Sequence, residues 1–317
     1  MVRALSVFAA FWLPLLSAAS VAAAPEDATQ ADPPQADSAT YIPPPTRDYI
    51  LWYRNFDSPT IHTLVTLALN ETPEYGPYRL VRSEDLSQGR ALRELANPNT
   101  RMVDIANVAT SREREDYLTA IPIPVDGGLL GLRVCLTTPD KLPMFEGIKT
   151  LDDVKQRNIR IGQGSHWPDT PILQAAGLSV ITHARYEILF GMLKADRFDC
   201  FARGASEVLY DLELQNDPEL VIVPDLVLAY PMPSYLFVNR ERPELAQRLQ
   251  LGLERAIQDG SFGGYLVTFF SKPVHALKLP QRQVIRLPNP DLTEESALIG
   301  RQTFQNLQRR LNFLVRR

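Results

Sequence analysis

The stretch GQGSHWPDT, residues 162–170, gathers two glycines, a serine, a histidine, a tryptophan and an aspartate in a chain with only four histidines and three tryptophans. Two chemistries compete for it. His166 suggests a catalytic or metal role, whereas glycines ahead of a helix start bring backbone close to a ligand and offer N–H groups to an anion. The second suits the sequence better. His62, His183 and His275 lie at no ligand spacing from His166, and no nucleophile-and-base pair is legible. The lysine and hydroxyl of a phosphate-binding P-loop are missing too.

Two further stretches carry cations. TSREREDYLT, 110–119, follows an apolar strand-like run, and an arginine just past a strand end can hold a carboxylate through two parallel hydrogen bonds. The alternative for this Arg/Glu run is a solvated surface. RFDCFARGASE, 197–207, ends a strand with Arg203, which either projects to a ligand or pairs with Glu207 four residues on.

The elements that must position these residues alternate along the chain. Strand patterns at 48–54, 78–83 and 101–110 enclose helices at 58–69, with Ser58 as N-cap and Pro59 at its first position, and at 83–95. A second round has strands in GLRVCLTT, NIRIGQG, LSVITH, RFDCFARG and ELVIVPD. Helices between them fall at IKTLDDVK, DTPILQAAG, YEILFGMLKAD and SEVLYDLEL. SYLFVNR then leads to a helix over 241–260, with Leu245, Leu249, Leu253, Ala256 and Ile257 on one face and Gly260 as its stop. LPNPDLT reads as a turn before a last helix near 293–314. This is α/β layering.

With 317 residues, 45% hydrophobic and 22% charged, the chain can bury two domains of ordinary size. Its formal charge of −4 gives no electrostatic basis for nucleic-acid binding. Residues 1–24 read as a secretory signal peptide cleaved near Ala22–Ala24, and the Pro-, Ala- and Asp-rich 25–46 as a disordered tether. Cys135 and Cys200 each sit in an apolar β-type run. An oxidising compartment permits a bridge, but cross-strand bridges within a sheet are strained and uncommon, so their pairing stays open. No metal or cofactor site is legible.

Together these residues resemble the family 3 periplasmic solute-binding proteins of the amino-acid-receptor type, over roughly 47–272. SRERED matches that family's Thr-x-x-Arg-Glu segment, and IRIGQGS its second-lobe Gly-Ser/Thr segment. LKADRFDCF is similar to the Leu-x-x-Gly-Arg-x-Asp strand start, and FVNRERPELAQRLQLGLERAIQDGSF to the closing helix. The HWPDT motif marks a separate branch. The resemblance implies a two-lobed α/β fold of type II with two hinge crossovers. Lobe 1 would be 47–130 and 229–272, lobe 2 would be 131–228, and 273–317 a C-terminal extension. It implies a ligand held by Ser111 and Arg114 from lobe 1 and by Gly164, Ser165, His166, Trp167 and Arg203 from lobe 2. Five residues after Asp199, where such receptors carry an aspartate for the ligand's ammonium, this chain has Gly204.

The expected function is capture of a small carboxylate-bearing solute, such as an organic acid, an amino acid derivative or a short peptide. The protein would be periplasmic, monomeric and without cofactor or enzymatic activity, serving an inner-membrane transporter or sensor. One alternative is a sensor or adaptor that signals to a protein partner without transport. A third reading is a hydrolase or lyase using His166.

Overall fold

The computed structural model describes residues 45–315. The expected signal peptide, and all but the last two residues of the expected tether, lie outside that range.

The described residues begin with β1 (Arg47–Leu51), a single helical turn α1 (Tyr53–Phe56) and the helix α2 (Pro59–Asn70), whose N-cap Ser58 accepts a hydrogen bond from the Ile61 N–H. β2 (Tyr78–Arg82), α3 (Gln88–Ala96), β3 (Ala106–Ala109), α4 (Arg112–Tyr117) and β4 (Thr119–Ile121) follow. The second round comprises β5 (Leu132–Thr137), α5 (Leu151–Gln156), β6 (Arg160–Gly164), α6 (Asp169–Ala175) and β7 (Ser179–His183). It continues with α7 (Tyr186–Lys194), β8 (Cys200–Gly204), α8 (Val208–Gln215), β9 (Val221–Ile222) and β10 (Leu226–Ala229). The chain closes with β11 (Ser234–Val238), α9 (Pro243–Asp259), α10 (Ser261–Ala276), β12 (Gln283–Arg286) and α11 (Glu294–Val315).

These strands build two separate sheet regions, which define two lobes. In lobe 1, β1 and β2 pair in parallel, a bridge between Leu51 and Ile105 connects β1 to the next strand, and β11 lies antiparallel between β3 and β4. Lobe 2 holds a seven-stranded sheet in the order β12-β10-β5-β8-β6-β7, with β9 also on β5. The chain passes between the lobes from β4 to β5 and again from β10 to β11, the two hinge crossovers of the two-lobed fold.

Several elements differ from the sequence reading. ELVIVPD yields only the two residues of β9. The next strand, β10, lies in LVLA, where Pro224 and Pro231 on either side mask a short strand. The helix after Gly260 continues as α10 to Ala276, beyond the boundary drawn at 272, and β12 within the C-terminal extension joins the lobe 2 sheet. On α9, Leu245, Leu249, Leu253 and Ala256 are buried as expected, but Ile257 sits at the margin of the stripe and is 49% exposed. Cys135 and Cys200 form a disulfide between the neighbouring strands β5 and β8, with Cα atoms 5.2 Å apart.

α9 also carries Arg248, fully buried against β1 and the end of α2. It donates to Thr72 Oγ1 at 3.1 Å, Tyr49 OH at 3.2 Å and the carbonyls of Leu69 and Gly76 at 3.3 and 3.0 Å. Arg248→Ala removes this set of bonds together and opens a cavity. It is expected to lower the unfolding free energy by about 3 kcal/mol. A urea melt showing less than roughly 1 kcal/mol would mean that α9 is held by its leucine stripe alone.

Candidate functional site

Between the lobes lies a cleft of about 1060 Å³, slightly above the upper end of the usual range for a small-molecule site. Lobe 1 contributes the start of α3 and the end of β3, lobe 2 the ends of β6 and β8 and the starts of α6 and α7, and the second half of α10 closes one side.

Arg114 reaches this cleft from α4. Ser111 is the N-cap of that helix: its hydroxyl accepts from the Arg114 N–H at 3.3 Å, so it orients the arginine. The guanidinium is buried and donates to Ala109 O, to Gln88 Oε1 at 2.8 Å and to the His166 carbonyl of lobe 2 at 2.7 Å. Among the described residues no carboxylate lies within ion-pair distance of it. Burial pushes its pKa down to about 10, only weakly opposed by more distant acidic groups. At neutral pH it is therefore a buried cation answered only by neutral acceptors.

The 162–170 stretch forms the end of β6 and the turn into α6. A β-carbon on Gly164 would lie 2.5 Å from the Trp167 indole, so the glycine is what allows the ring to fold back onto its own strand. Trp167 stacks on Phe201 at 6.1 Å with planes 11° apart, forming an apolar wall of the cleft. Ser165 and His166 are exposed and do not line the cleft. The Ser165 N–H donates to His183 O at 3.1 Å, and those of Trp167 and Thr170 to Gly164 O and Trp167 O. The Ser165 N–H expected to face an anion is thus taken by the end of β7, and those of Trp167 and Thr170 by the turn itself. The His166 ring packs over Gly89 of α3, so this residue touches lobe 1 with both its ring and its carbonyl.

Asp169 has a role that the sequence did not reveal. It is buried, with Oδ1 2.6 Å from Arg133 Nε, Oδ2 accepting from Arg133 Nη2 at 3.0 Å, and Tyr230 OH donating at 2.5 Å. Arg133, on β5, was hidden in an apolar strand pattern. Burial disfavours its charge, but Asp169, Tyr230 and Glu207 together outweigh that and the pKa is raised.

Arg203 lines the cleft, yet it is neutralised from within. Its Nε donates to Asp211 Oδ2 at 2.7 Å and its Nη2 lies 3.1 Å from Glu207 Oε2, while its guanidinium sits 4.9 Å from the Trp167 ring centre. Burial works against the charge, but the two carboxylates more than offset it and the pKa is raised. Tyr186 OH donates to the same Asp211. At Gly204 the space for a side chain is filled: a β-carbon there would meet Arg133 Nη1 at 2.8 Å and Glu207 Oε2 at 3.1 Å.

These groups form an alternating chain, Asp169, Arg133, Glu207, Arg203, Asp211, across the floor of lobe 2. Glu207 is its only open member, its side chain 42% exposed against 6% or less for the others. Spacing pointed to the Arg203–Glu207 pair. Asp211, eight residues on, comes within reach only because the strand turns back into α8. At the rim, Arg54 of α1 lies 3.8 Å over the Tyr186 ring, and Tyr210 OH donates to Asp57 O at 3.1 Å, so the lobes meet there as well. Asp169→Asn strands the buried Arg133 charge and is expected to cost about 3–5 kcal/mol of stability. Adding Arg133→Met should recover most of it. Equal melting of Asp169→Asn and wild type would show that the pair is not what holds α6 to β5.

No family model matches the chain, and no curated protein matches it either. Solved structures do. An ancestral arginine-binding protein bound to arginine is 15% identical and superposes with a TM-score of 0.53, over 71% of this chain and 98% of that one. An amino acid ABC transporter substrate-binding protein from Streptococcus pneumoniae, bound to L-arginine, is 14% identical with a TM-score of 0.53, over 72% of this chain and 96% of that one. The GluR0 ligand-binding core from Nostoc punctiforme, in complex with L-glutamate, is 14% identical with a TM-score of 0.51, over 71% and 99%. The chain therefore has the two-lobed α/β fold of the amino-acid-binding proteins, joined to segments that those structures do not contain.

Proposed function

We propose that this chain is a non-enzymatic binding protein that captures a small carboxylate-bearing solute between its lobes, for uptake or sensing. The observation that carries the reading is Arg114: a charged guanidinium, buried at the cleft, with no carboxylate of its own. An incoming carboxylate would replace neutral acceptors with a charge-assisted pair, and would restore the guanidinium's pKa toward its ordinary value. Ser111 acts through the helix cap, and Trp167 and Gly164 supply the apolar wall.

Arg203 enters differently from the sequence expectation. Asp211 and Glu207 satisfy its charge, so it serves as part of the wall, and among the buried arginines of the cleft Arg114 alone lacks a carboxylate. That favours a solute with a single carboxylate near Arg114. The neighbouring structures bound to arginine or glutamate support a solute of amino-acid size. The signal-peptide pattern read in the sequence of 1–24 supports export to the periplasm, where a transporter or sensor in the inner membrane would be the partner. The hydrolase or lyase reading gains nothing from His166, which is exposed and packed on Gly89.

Isothermal titration against organic acids, amino acids and short peptides tests the proposal. Arg114→Ala should weaken the solute that binds by about 3 kcal/mol, roughly a hundredfold in Kd. Arg203→Ala should act mainly through a lower melting temperature. Unchanged affinity in Arg114→Ala would remove the carboxylate clamp from this site.

A further inference from the structure

The two hinge crossovers are not the only links between the lobes. After α10 the chain enters lobe 2 as β12, parallel to β10 from Leu226↔Gln283 to Ala229↔Arg286. Arg282 Nη1 donates to Val223 O at 2.7 Å, and Gln283 Nε2 to Lys149 O at 2.9 Å. The chain leaves lobe 2 with the Leu287 N–H on Ala229 O at 2.9 Å.

Four residues later it is gripped by lobe 1. Arg112 of α4 donates its backbone N–H to Asp291 O at 3.1 Å and its Nη2 to Leu292 O at 2.6 Å. The hydroxyls of Thr293 and Ser296 donate to Glu115 of the same helix, each at 2.6 Å. Between the grips lie only Pro288, Asn289 and Pro290. Three residues span at most about 10 Å, and the prolines fix φ at two of them. Asn289 Nδ2 donates to Pro231 O of the second crossover at 2.8 Å. α11 then packs on the same region, where a β-carbon on Gly300 would lie 3.2 Å from the Pro233 ring, and Thr303 sits over Gly128 of the first crossover.

We infer that residues 282–303 form a stiff third strap across the hinge, which limits how far the lobes open and ties lobe 2 to the helix that carries Arg114. A rotation that separates the lobes must stretch the Pro-Asn-Pro link, break the Glu115 and Arg112 bonds, or strip β12 from β10. Each resists opening. The inference concerns the mechanics of the two lobes and stands whatever solute the cleft takes.

Spin labels on cysteines replacing Asp85 and Glu213, exposed residues on opposite rims of the cleft, would read the inter-lobe distance in the full chain by double electron–electron resonance. Without added solute the otherwise unaltered chain should give one narrow distance distribution. Pro288→Gly with Pro290→Gly, and separately Thr293→Val with Ser296→Ala, should each add a second, longer component. The two variants loosen the strap at different places, so if one fails to fold, the other still decides. A long component already present without either change, or folded variants with the same distribution as the parent, would overturn the inference.

Discussion

A guanidinium taken out of water without a carboxylate governs the arrangement of this molecule. Arg114, Arg133 and Arg203 are all buried at the cleft. Two of them share three carboxylates in a chain that leaves lobe 2 with one surplus negative charge, while lobe 1 presents the unmatched Arg114. The jaws therefore carry opposite charge. With the lobes together, the cation nonetheless finds only a backbone carbonyl of the other jaw, that of His166. An acceptor of that kind keeps the charge tolerable but leaves it well short of the stabilisation an anion would give.

Much of the surrounding architecture serves to keep that cation where it is. α4 is only six residues long and would not be stable in isolation. Its inner side aims Arg114 at the cleft, and Ser111 caps its start. Its outer side is held by the carbonyls of Asp291 and Leu292, which accept from Arg112, and by the hydroxyls of Thr293 and Ser296, which donate to the carboxylate of Glu115. The helix is thus fixed by a segment almost 180 residues further along the chain. Residues 282–303 are a support for the site, although none of them lines the cleft.

The layering was readable because it rests on local pattern: alternating apolar strands, Ser58 and Pro59 at a helix start, Gly260 at a helix end. Arg114 and Ser111 were singled out by the resemblance of SRERED to a family segment and not by local pattern, and the role of Ser111 as a helix cap appears only in the fold. What escaped depends on contacts distant in sequence. Arg133 looked like a stray charge in an apolar strand until Asp169 and Tyr230 closed on it from other elements. β12 has no strong alternation and becomes a strand because β10 offers it an edge. The glycines of GQGSHWPDT were read for what their N–H groups could bind. In the fold, Gly164 makes room for an indole ring, and Gly162 for the ring of Phe198.

That reassignment changes how selectivity would arise. If backbone N–H groups had lined the mouth of α6, any acceptor of suitable shape would gain hydrogen bonds there. Instead the N–H groups of Ser165, Trp167 and Thr170 are taken by carbonyls of β7 and of the turn, and the acceptor directed at Arg114 from lobe 2 is the carbonyl of His166. On the proposed function, a ligand must compete with that carbonyl. A neutral amide or ester merely exchanges one carbonyl for another and gains little, whereas a carboxylate replaces a neutral hydrogen bond with a charged one of roughly twice the strength. Discrimination between acid and amide would then come from a self-contact that only an anion is strong enough to displace, which is the role left for the loop around His166.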